Sequence, residues 1–218
     1  MMTDTIRHHL SPEVLAAYST GDLPEAFSLV VATHVSLCDD CRATLESLDA
    51  IGGAVLESCA AEAVAPTSFE ATMKRVTGED RSEQQPRPIR ARGLFPAALQ
   101  DYVGGDVEAV RWRPVGMGVR QAILPTAPGS SVRLLLIPPG AAMPSHSHRG
   151  REMTIVLQGA FSDEGGRYGR GDVEMADDDV RHAPVAEQGE PCICLAATEA
   201  PLRFRGLLPR LTQSFFRI

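Results

Sequence analysis

The chain has 218 residues, 44% of them hydrophobic, and a formal net charge of −7. This length and apolar content suit one or two domains with ordinary hydrophobic cores and argue against disorder. The acid is concentrated in residues 1–80, where 13 Asp and Glu stand against 4 Lys and Arg. A phosphate backbone would repel such a segment, so direct nucleic-acid binding is not expected, whereas a basic protein surface would attract it. A solvated acidic face that keeps the protein soluble explains the same charge.

Four helical segments are predicted in residues 1–80 from apolar residues at helical spacing and from capping residues. The fourth is short and amphipathic, and its pattern allows it either to dock a partner or to fold back onto the other helices. The first segment begins at Pro12, after the cap Ser11, and the second runs from Pro24 to Leu37 and is entered through Asp22 and Pro24. The third extends from beyond Cys41 to about Cys59 across Gly52-Gly53, and the fourth follows Pro66.

His34, Cys38 and Cys41 form the pattern H-x3-C-x2-C. His34 and Cys38 lie one helical turn apart, and Cys41 can turn into the same site as the next helix begins. Three ligands leave one tetrahedral position open, which His8 or His9 can fill, and two thiolates with two imidazoles make a closed zinc site of structural type. The alternative is a pair of buried free cysteines beside a hydrogen-bonded histidine.

A polar, proline-bearing stretch without periodicity runs from Gly78 to Gly93 and is typical of a flexible linker. The expected organisation is therefore a helical domain over residues 1–80, a linker over 81–93 and a second domain over 94–218.

Beyond the linker the pattern changes to short apolar segments separated by Gly and Pro, which predicts an antiparallel barrel or sandwich without a long helix. The clearest predicted strands are Val110–Pro114, Val119–Leu124, Val132–Ile137, Met153–Leu157 and Cys192–Ala196.

The second histidine cluster lies in this region. His146, His148 and Glu152 are separated by even numbers of residues, so an extended chain places all three on one face, and the apolar run after Glu152 predicts a buried strand that carries the carboxylate into a barrel lumen. Together with His182 they form a set that suits zinc, iron, manganese or nickel. The alternative is a barrel that retains its histidines as hydrogen-bonded core residues.

The stretch from Gly140 to Gly159 resembles the first cupin motif, G-x5-H-x-H-x3-E-x6-G, at every defined position. Counting from Gly171, the spacing of the second cupin motif places its final histidine at His182, although the usual proline, glycine and asparagine of that motif are replaced. The resemblance implies a cupin-type β-barrel with one divalent metal.

Cysteine usage and hydropathy indicate the compartment. The N-terminus lacks the basic and apolar regions of a signal peptide, no apolar run approaches the length of a membrane span, and the five cysteines are typical of the reduced cytoplasm. We therefore expect a cytoplasmic protein without membrane contact. Cys192 and Cys194 alternate on one strand face, where they are either inert core thiols or sensors of a reactive species.

A zinc-bearing helical module with H-x3-C-x2-C, joined by a linker to a cupin-like domain, resembles the ChrR family of zinc-dependent anti-sigma factors, and the agreement extends to the final residues 209–218. The resemblance implies an α + β multidomain fold, zinc in both domains, capture of an extracytoplasmic-function sigma factor by the helical domain, and release on exposure to singlet oxygen or related oxidants. The ligands it implies are His9, His34, Cys38 and Cys41, with His8 excluded, and His146, His148, Glu152 and His182 in the barrel.

A protein of another class fits the cupin motif as well. A metal-dependent cupin enzyme, of dioxygenase or isomerase type, with a regulatory helical domain is the alternative. Four protein ligands would fill a tetrahedral zinc and leave no position for substrate, which favours the regulator.

Overall fold

The computed structural model describes residues 5–78, 93–147, 150–177, 181–200 and 203–204. An extended N-terminal segment leads into helices α1 (Pro12–Ser19), α2 (Glu25–Val35), α3 (Asp39–Ser58), α4 (Ser68–Thr77) and α5 (Ala97–Val103), and a 3-10 turn follows at Val107–Ala109. The strands are β1 (Arg113–Gly116), β2 (Val119–Leu124), β3 (Ser131–Ile137), β4 (His146–Ser147), β5 (Glu152–Gln158), β6 (Phe161–Asp163), β7 (Gly166–Tyr168), β8 (Val173–Ala176), β9 (Arg181–His182), β10 (Val185–Ala186), β11 (Cys192–Thr198) and β12 (Arg203–Phe204).

The strands form an antiparallel barrel of the predicted cupin type. A six-stranded sheet has the order β1-β2-β3-β11-β5-β8, and two three-stranded sheets have the orders β10-β6-β7 and β12-β4-β9. Strand β11 lies at the centre, with Leu195 opposite Leu134 of β3 and Ile155 of β5. The sheet β12-β4-β9 pairs His146 with His182, so register alone brings two of the predicted ligands side by side.

Strands β5 and β11 are buried on both faces, as the apolar run after Glu152 predicts. Because side chains alternate along a strand, one face carries Ile155 and Leu195 into a core shared with the helices, while the other faces the barrel lumen. Val156 and Cys194 belong to the lumen cluster, and Glu152 shares their face by parity.

Helix α2 is the element that joins the helices to the barrel. Its residues Phe27, Val30 and Val31 are buried, and they enter the same hydrophobic cluster as Leu134 and Leu195 of the sheet. The helical region and the barrel therefore share one core across this face.

Before the linker, the four predicted helices agree with α1 to α4 in number and order. Ser11 caps α1 by accepting a hydrogen bond from the Val14 N–H, and α3 continues through Gly52-Gly53 to Ser58. The second helix, predicted from Pro24 to Leu37, spans Glu25–Val35, and its N-cap is Pro24 and not Asp22. No helix among the described residues is long and apolar enough to cross a membrane.

Two predictions beyond the linker were wrong in detail. Residues 110–112 precede the first strand, which begins at Arg113, and helix α5 was missed because its seven residues are too few to display a helical period. The predicted domain boundaries remain predictions, since residues 79–92 lie outside the described part of the chain.

Replacing Phe27 by Ala is expected to destabilise the protein by about 3–5 kcal/mol, because the side chain is 2% exposed between α2 and the sheet and its loss leaves a cavity. Urea unfolding monitored by circular dichroism measures the change. The matched control is Leu56→Ala on α3, where the side chain is 74% exposed and a change within about 0.5 kcal/mol is expected. Equal effects of the two substitutions would contradict the shared core.

Candidate metal centres

Four side chains meet at what we call the Cys/His centre, defined by His9, His34, Cys38 and Cys41. One ligand atom from each lies within 4.8 Å of all the others. His34 comes from the last turn of α2, Cys38 is the N-cap of α3 and Cys41 lies in the first turn of α3. His9 comes from the extended N-terminal segment, and its Nδ1 is 3.3 Å from Cys38 Sγ and 3.7 Å from Cys41 Sγ.

The geometry distinguishes between the two neighbouring histidines that the sequence pattern left open. His9 turns towards the two cysteines, whereas the ring of His8 lies 4.3 Å from the ring of Tyr168, with its Nδ1 3.7 Å from Asp172. The structure therefore brings His9, and not His8, to the centre.

His34 is oriented as a ligand would be. Its Nδ1–H donates to the backbone carbonyl of Gly171 over 2.8 Å, which leaves Nε2 without a proton and with its lone pair available. That Nε2 atom is buried and has no hydrogen-bond partner among the described residues. Burial also lowers the pKa of His34, which keeps the ring neutral. A buried, unpartnered lone pair beside two thiols fits a metal ion.

The two thiols also lie in an environment that a metal ion would stabilise. Burial raises the pKa of Cys41 to about 11, and the neighbouring Cys38 adds to the shift. Both cysteines are free and less than 5% exposed, so neither has solvent to stabilise a thiolate. A divalent cation supplies that stabilisation directly, because it binds the thiolate and displaces the proton.

A second group, the barrel centre, consists of His146, Glu152 and His182, whose ligand atoms also lie within 4.8 Å of one another. All three are buried in the barrel, with His182 only 2% exposed. His146 lies on β4, His182 on the paired strand β9 and Glu152 at the start of β5. The fourth predicted ligand, His148, lies outside the described residues.

The two imidazoles of the barrel centre face each other through their Nε2 atoms at 3.0 Å. His146 Nδ1–H donates to the Pro144 carbonyl, and His182 Nδ1 is hydrogen-bonded to Glu174 at 2.8 Å. With Nδ1 occupied on both rings, two nitrogen lone pairs meet at a distance where they repel unless a proton or a metal ion lies between them. A proton on His182 satisfies this pair, and a divalent ion that displaces the proton does so as well.

Two carboxyl groups behind His182 set the orientation of its ring. Asp163 and Glu174 both lie within hydrogen-bond distance of Nδ1, at 3.0 and 2.8 Å. Burial opposes a charged His182, yet the two acids outweigh burial and raise the pKa of that histidine. Burial likewise raises the pKa of Glu174. Such carboxylate–histidine pairs fix the tautomer of metal-binding histidines.

Sequence reasoning missed these two acids, because nothing in the local pattern of β6 or β8 marks them. The alternation of β8 places Glu174 on the lumen face, but that face can be identified only once the partner strand of β8 is known.

Cys192 and Cys194 share the lumen face, as predicted from their alternation, with their sulfurs 3.4 Å apart. Their mutual hydrogen bond and burial raise the pKa of Cys194, which favours the inert thiol.

Exposed apolar side chains lie on two helices, α3 and α4. Helix α4 has no buried residue, and Phe69, Met73 and Val76 are 71%, 41% and 70% exposed. On the second half of α3, Ile51 and Val55 are 63% and 59% exposed. We call these five residues the apolar helix surface. Exposed apolar clusters of this kind mark protein–protein interaction sites.

The fold and the two centres define a class: a helical module with a candidate Cys/His metal centre and an apolar interaction surface, packed on a cupin-type barrel with a second candidate metal centre. Residues 100–201 match the family described as the ChrR cupin-like domain. The chain is 57% identical over 215 residues to the anti-sigma-E factor ChrR of Cereibacter sphaeroides, covering 98% of this chain and 100% of that protein.

A solved structure agrees with the sequence comparison. The crystal structure of Rhodobacter sphaeroides SigE in complex with the anti-sigma ChrR superimposes with a TM-score of 0.78 at 54% identity, over 89% of this chain and 99% of that chain. This chain belongs to the ChrR family of anti-sigma factors.

Purified protein is expected to bind divalent metal at the Cys/His centre, and Cys38→Ser is expected to remove about one equivalent, because a neutral serine hydroxyl replaces a thiolate ligand. Metal analysis by mass spectrometry checks this. The matched control is Cys59→Ser, since Cys59 is exposed and lies at the opposite end of α3. Equal metal content in the two variants would contradict the centre.

Proposed function

We propose that this protein is a zinc-dependent anti-sigma factor that sequesters an extracytoplasmic-function sigma factor in the cytoplasm and releases it under oxidative stress such as singlet oxygen. The observation that carries the proposal is the full-length similarity to the anti-sigma-E factor ChrR, together with the superposition on ChrR in its complex with SigE. The alternative of a cupin dioxygenase or isomerase gains no support from a relative that matches from end to end and is a regulator.

The apolar helix surface is the part of the molecule that suits capture of a sigma factor. Phe69, Met73 and Val76 follow one another at i, i+4 and i+7 along α4, so they form one stripe that can enter an apolar groove. The acidic excess of residues 1–80 adds attraction for the basic, DNA-facing surfaces of a sigma factor and speeds their encounter. Covering those surfaces would keep the sigma factor from DNA.

The Cys/His centre suits the role of holding this surface in place. Helix α3 has a single buried residue, Cys41, although it is twenty residues long. It packs against α1, and its N-terminal end is where Cys38 and Cys41 meet His34 of α2 and His9 of the N-terminal segment. Zinc bound there would cross-link the three segments, since tetrahedral sites with two thiolates and two imidazoles are closed and structural.

The barrel centre suits the sensory part of the proposal. Its histidines are held by Pro144, Glu174 and Asp163, and the two cysteines Cys192 and Cys194 lie on the same lumen face. Zinc or another divalent metal would be held by His146, Glu152, His182 and the predicted ligand His148. The cytoplasmic location is supported by the free cysteines of the described residues, which form no disulfide.

Cys41→Ser is expected to abolish co-purification with the cognate sigma factor, because loss of zinc frees the N-terminal end of α3 and with it the apolar helix surface. Co-expression with the sigma factor followed by affinity pull-down measures the effect. Cys59→Ser is the control and is expected to bind like the parent protein. Undiminished sigma binding by Cys41→Ser protein that lacks zinc would contradict the proposal.

Phe69→Ala is expected to weaken sigma binding by about 2 kcal/mol or more, roughly thirtyfold in Kd, because an exposed aromatic side chain in a docking stripe acts as an anchor. Titration calorimetry with the sigma factor measures the change. The free energy of unfolding should stay constant, since Phe69 is 71% exposed. Glu70→Ala, at the next position of α4, is the control with an expected change below about 0.5 kcal/mol. A Phe69→Ala variant with unchanged Kd would remove α4 from the interface.

A further inference from the structure

The N-terminal segment that carries His9 is held by the barrel. The carboxylate of Asp172 accepts hydrogen bonds from the backbone N–H of Arg7 at 2.6 Å and of His8 at 2.9 Å. One residue further along the barrel, the Val173 N–H donates to the His8 carbonyl at 3.1 Å. The residue that follows these contacts in the chain is His9, a member of the Cys/His centre.

Asp172 forms hydrogen bonds with the barrel as well as with the N-terminal segment. Its second carboxylate oxygen accepts the Gly169 N–H at 2.8 Å, and the residue is only 4% exposed. Burial opposes its charge, but hydrogen bonds from the N–H groups of His8, Arg7 and Gly169 outweigh burial and lower the pKa of Asp172. A buried carboxylate with three N–H donors is a strong, directional link between the two parts of the chain.

The neighbouring residue Gly171 holds the second histidine of the centre. Its carbonyl accepts the Nδ1–H of His34, while its own N–H donates to the Val156 carbonyl of β5 at 2.8 Å. Gly171 has φ +90°, and a Cβ at this position would lie 2.6 Å from Ile6 Cδ1. The carbonyl is thus fixed by the barrel, and the N-terminal segment packs directly against it.

We propose that the barrel turn Gly169–Val173 positions the two histidines of the Cys/His centre, with Asp172 as a positioning residue for His9 and the Gly171 carbonyl as the orienting group for His34. This inference rests on the proposed function, in which that centre holds zinc. The metal affinity of the helical module then depends on its contact with the barrel. Strand β8, which starts at Val173, continues to Glu174 beside His182, so one short stretch of chain touches both centres.

The first test acts on the contact from outside the barrel. Arg7→Pro removes the backbone N–H that Asp172 accepts, and Arg7→Ala is the matched control because it keeps the N–H and removes only an exposed side chain. In the full-length zinc-loaded protein, the rate of zinc release to a chelating dye is measured together with alkylation of Cys38 and Cys41, located by peptide mass spectrometry. We expect Arg7→Pro to raise both rates about tenfold or more and Arg7→Ala to change them less than about twofold.

The second test acts on the barrel side. Asp172→Asn retains the shape of the side chain and removes its charge, and Glu187→Gln makes the same change at an exposed ion pair with Arg167 elsewhere on the barrel. We expect release about tenfold faster for Asp172→Asn and unchanged for Glu187→Gln. Cys192 and Cys194, which are buried in the lumen, should stay protected from alkylation if the barrel remains folded. If Cys192 and Cys194 become reactive, Asp172→Asn has unfolded the barrel, and the comparison of Arg7→Pro with Arg7→Ala alone tests the inference.

Cobalt substitution separates positioning from stability. Thiolate-to-cobalt charge transfer arises at the centre with cysteine ligands, and the visible ligand-field bands of Co²⁺ there report the geometry of the tetrahedron. We expect Arg7→Pro to shift these bands relative to Arg7→Ala, whereas a merely structural role would leave the spectrum of the loaded protein unchanged. Equal release rates and identical spectra for the two Arg7 variants would overturn the inference. Parent protein without metal at Cys38 and Cys41 would overturn the proposed function as well.

Discussion

The meeting of two buried thiols and the buried imidazole of His34 with the exposed imidazole of His9 is the constraint on which the N-terminal half depends. Cys38, Cys41 and His34 are each less than 5% exposed, and His34 Nε2 has no hydrogen-bond partner among the described residues. Such a cluster is costly without a cation and strongly cohesive with one, because the metal replaces the solvation that burial removes. A helical region this small gains from such a cross-link the rigidity that its own core is too small to supply.

The barrel supports the Cys/His centre through packing and hydrogen bonds. Helix α2 places Phe27, Val30 and Val31 on the sheet, and Gly171 and Asp172 hold the chain on either side of the ligand set. Ile51, Val55 and Phe69, by contrast, are exposed on α3 and α4. The residues that pack on the barrel and those that stay free for a partner therefore lie at different positions of the helical region.

The sequence predicted those features that local spacing determines. H-x3-C-x2-C placed His34, Cys38 and Cys41 together because helical and capping geometry fixes their separation, and the even spacing from His146 to Glu152 gave the lumen face of β4 and β5. The family resemblance implied His9 and not His8, and the structure places His9 beside Cys38 and His8 beside Asp172. Local spacing cannot predict contacts between residues that are distant in the sequence. Asp163 and Glu174 contact His182 only because their strands pair in the barrel. Asp172 and Arg7 are likewise 165 positions apart in the sequence. Helix α5 was too short to reveal a period.

The most direct test of the central claim is a calorimetric titration of the sigma factor into one preparation of full-length protein in three states: zinc-loaded, stripped by a chelator, and reloaded with zinc. The account predicts tight binding, loss of at least about a hundredfold in Kd on stripping, and recovery on reloading, because the metal orients α3 and the surface it carries. Stripped protein that binds the sigma factor as tightly as the loaded form would contradict it.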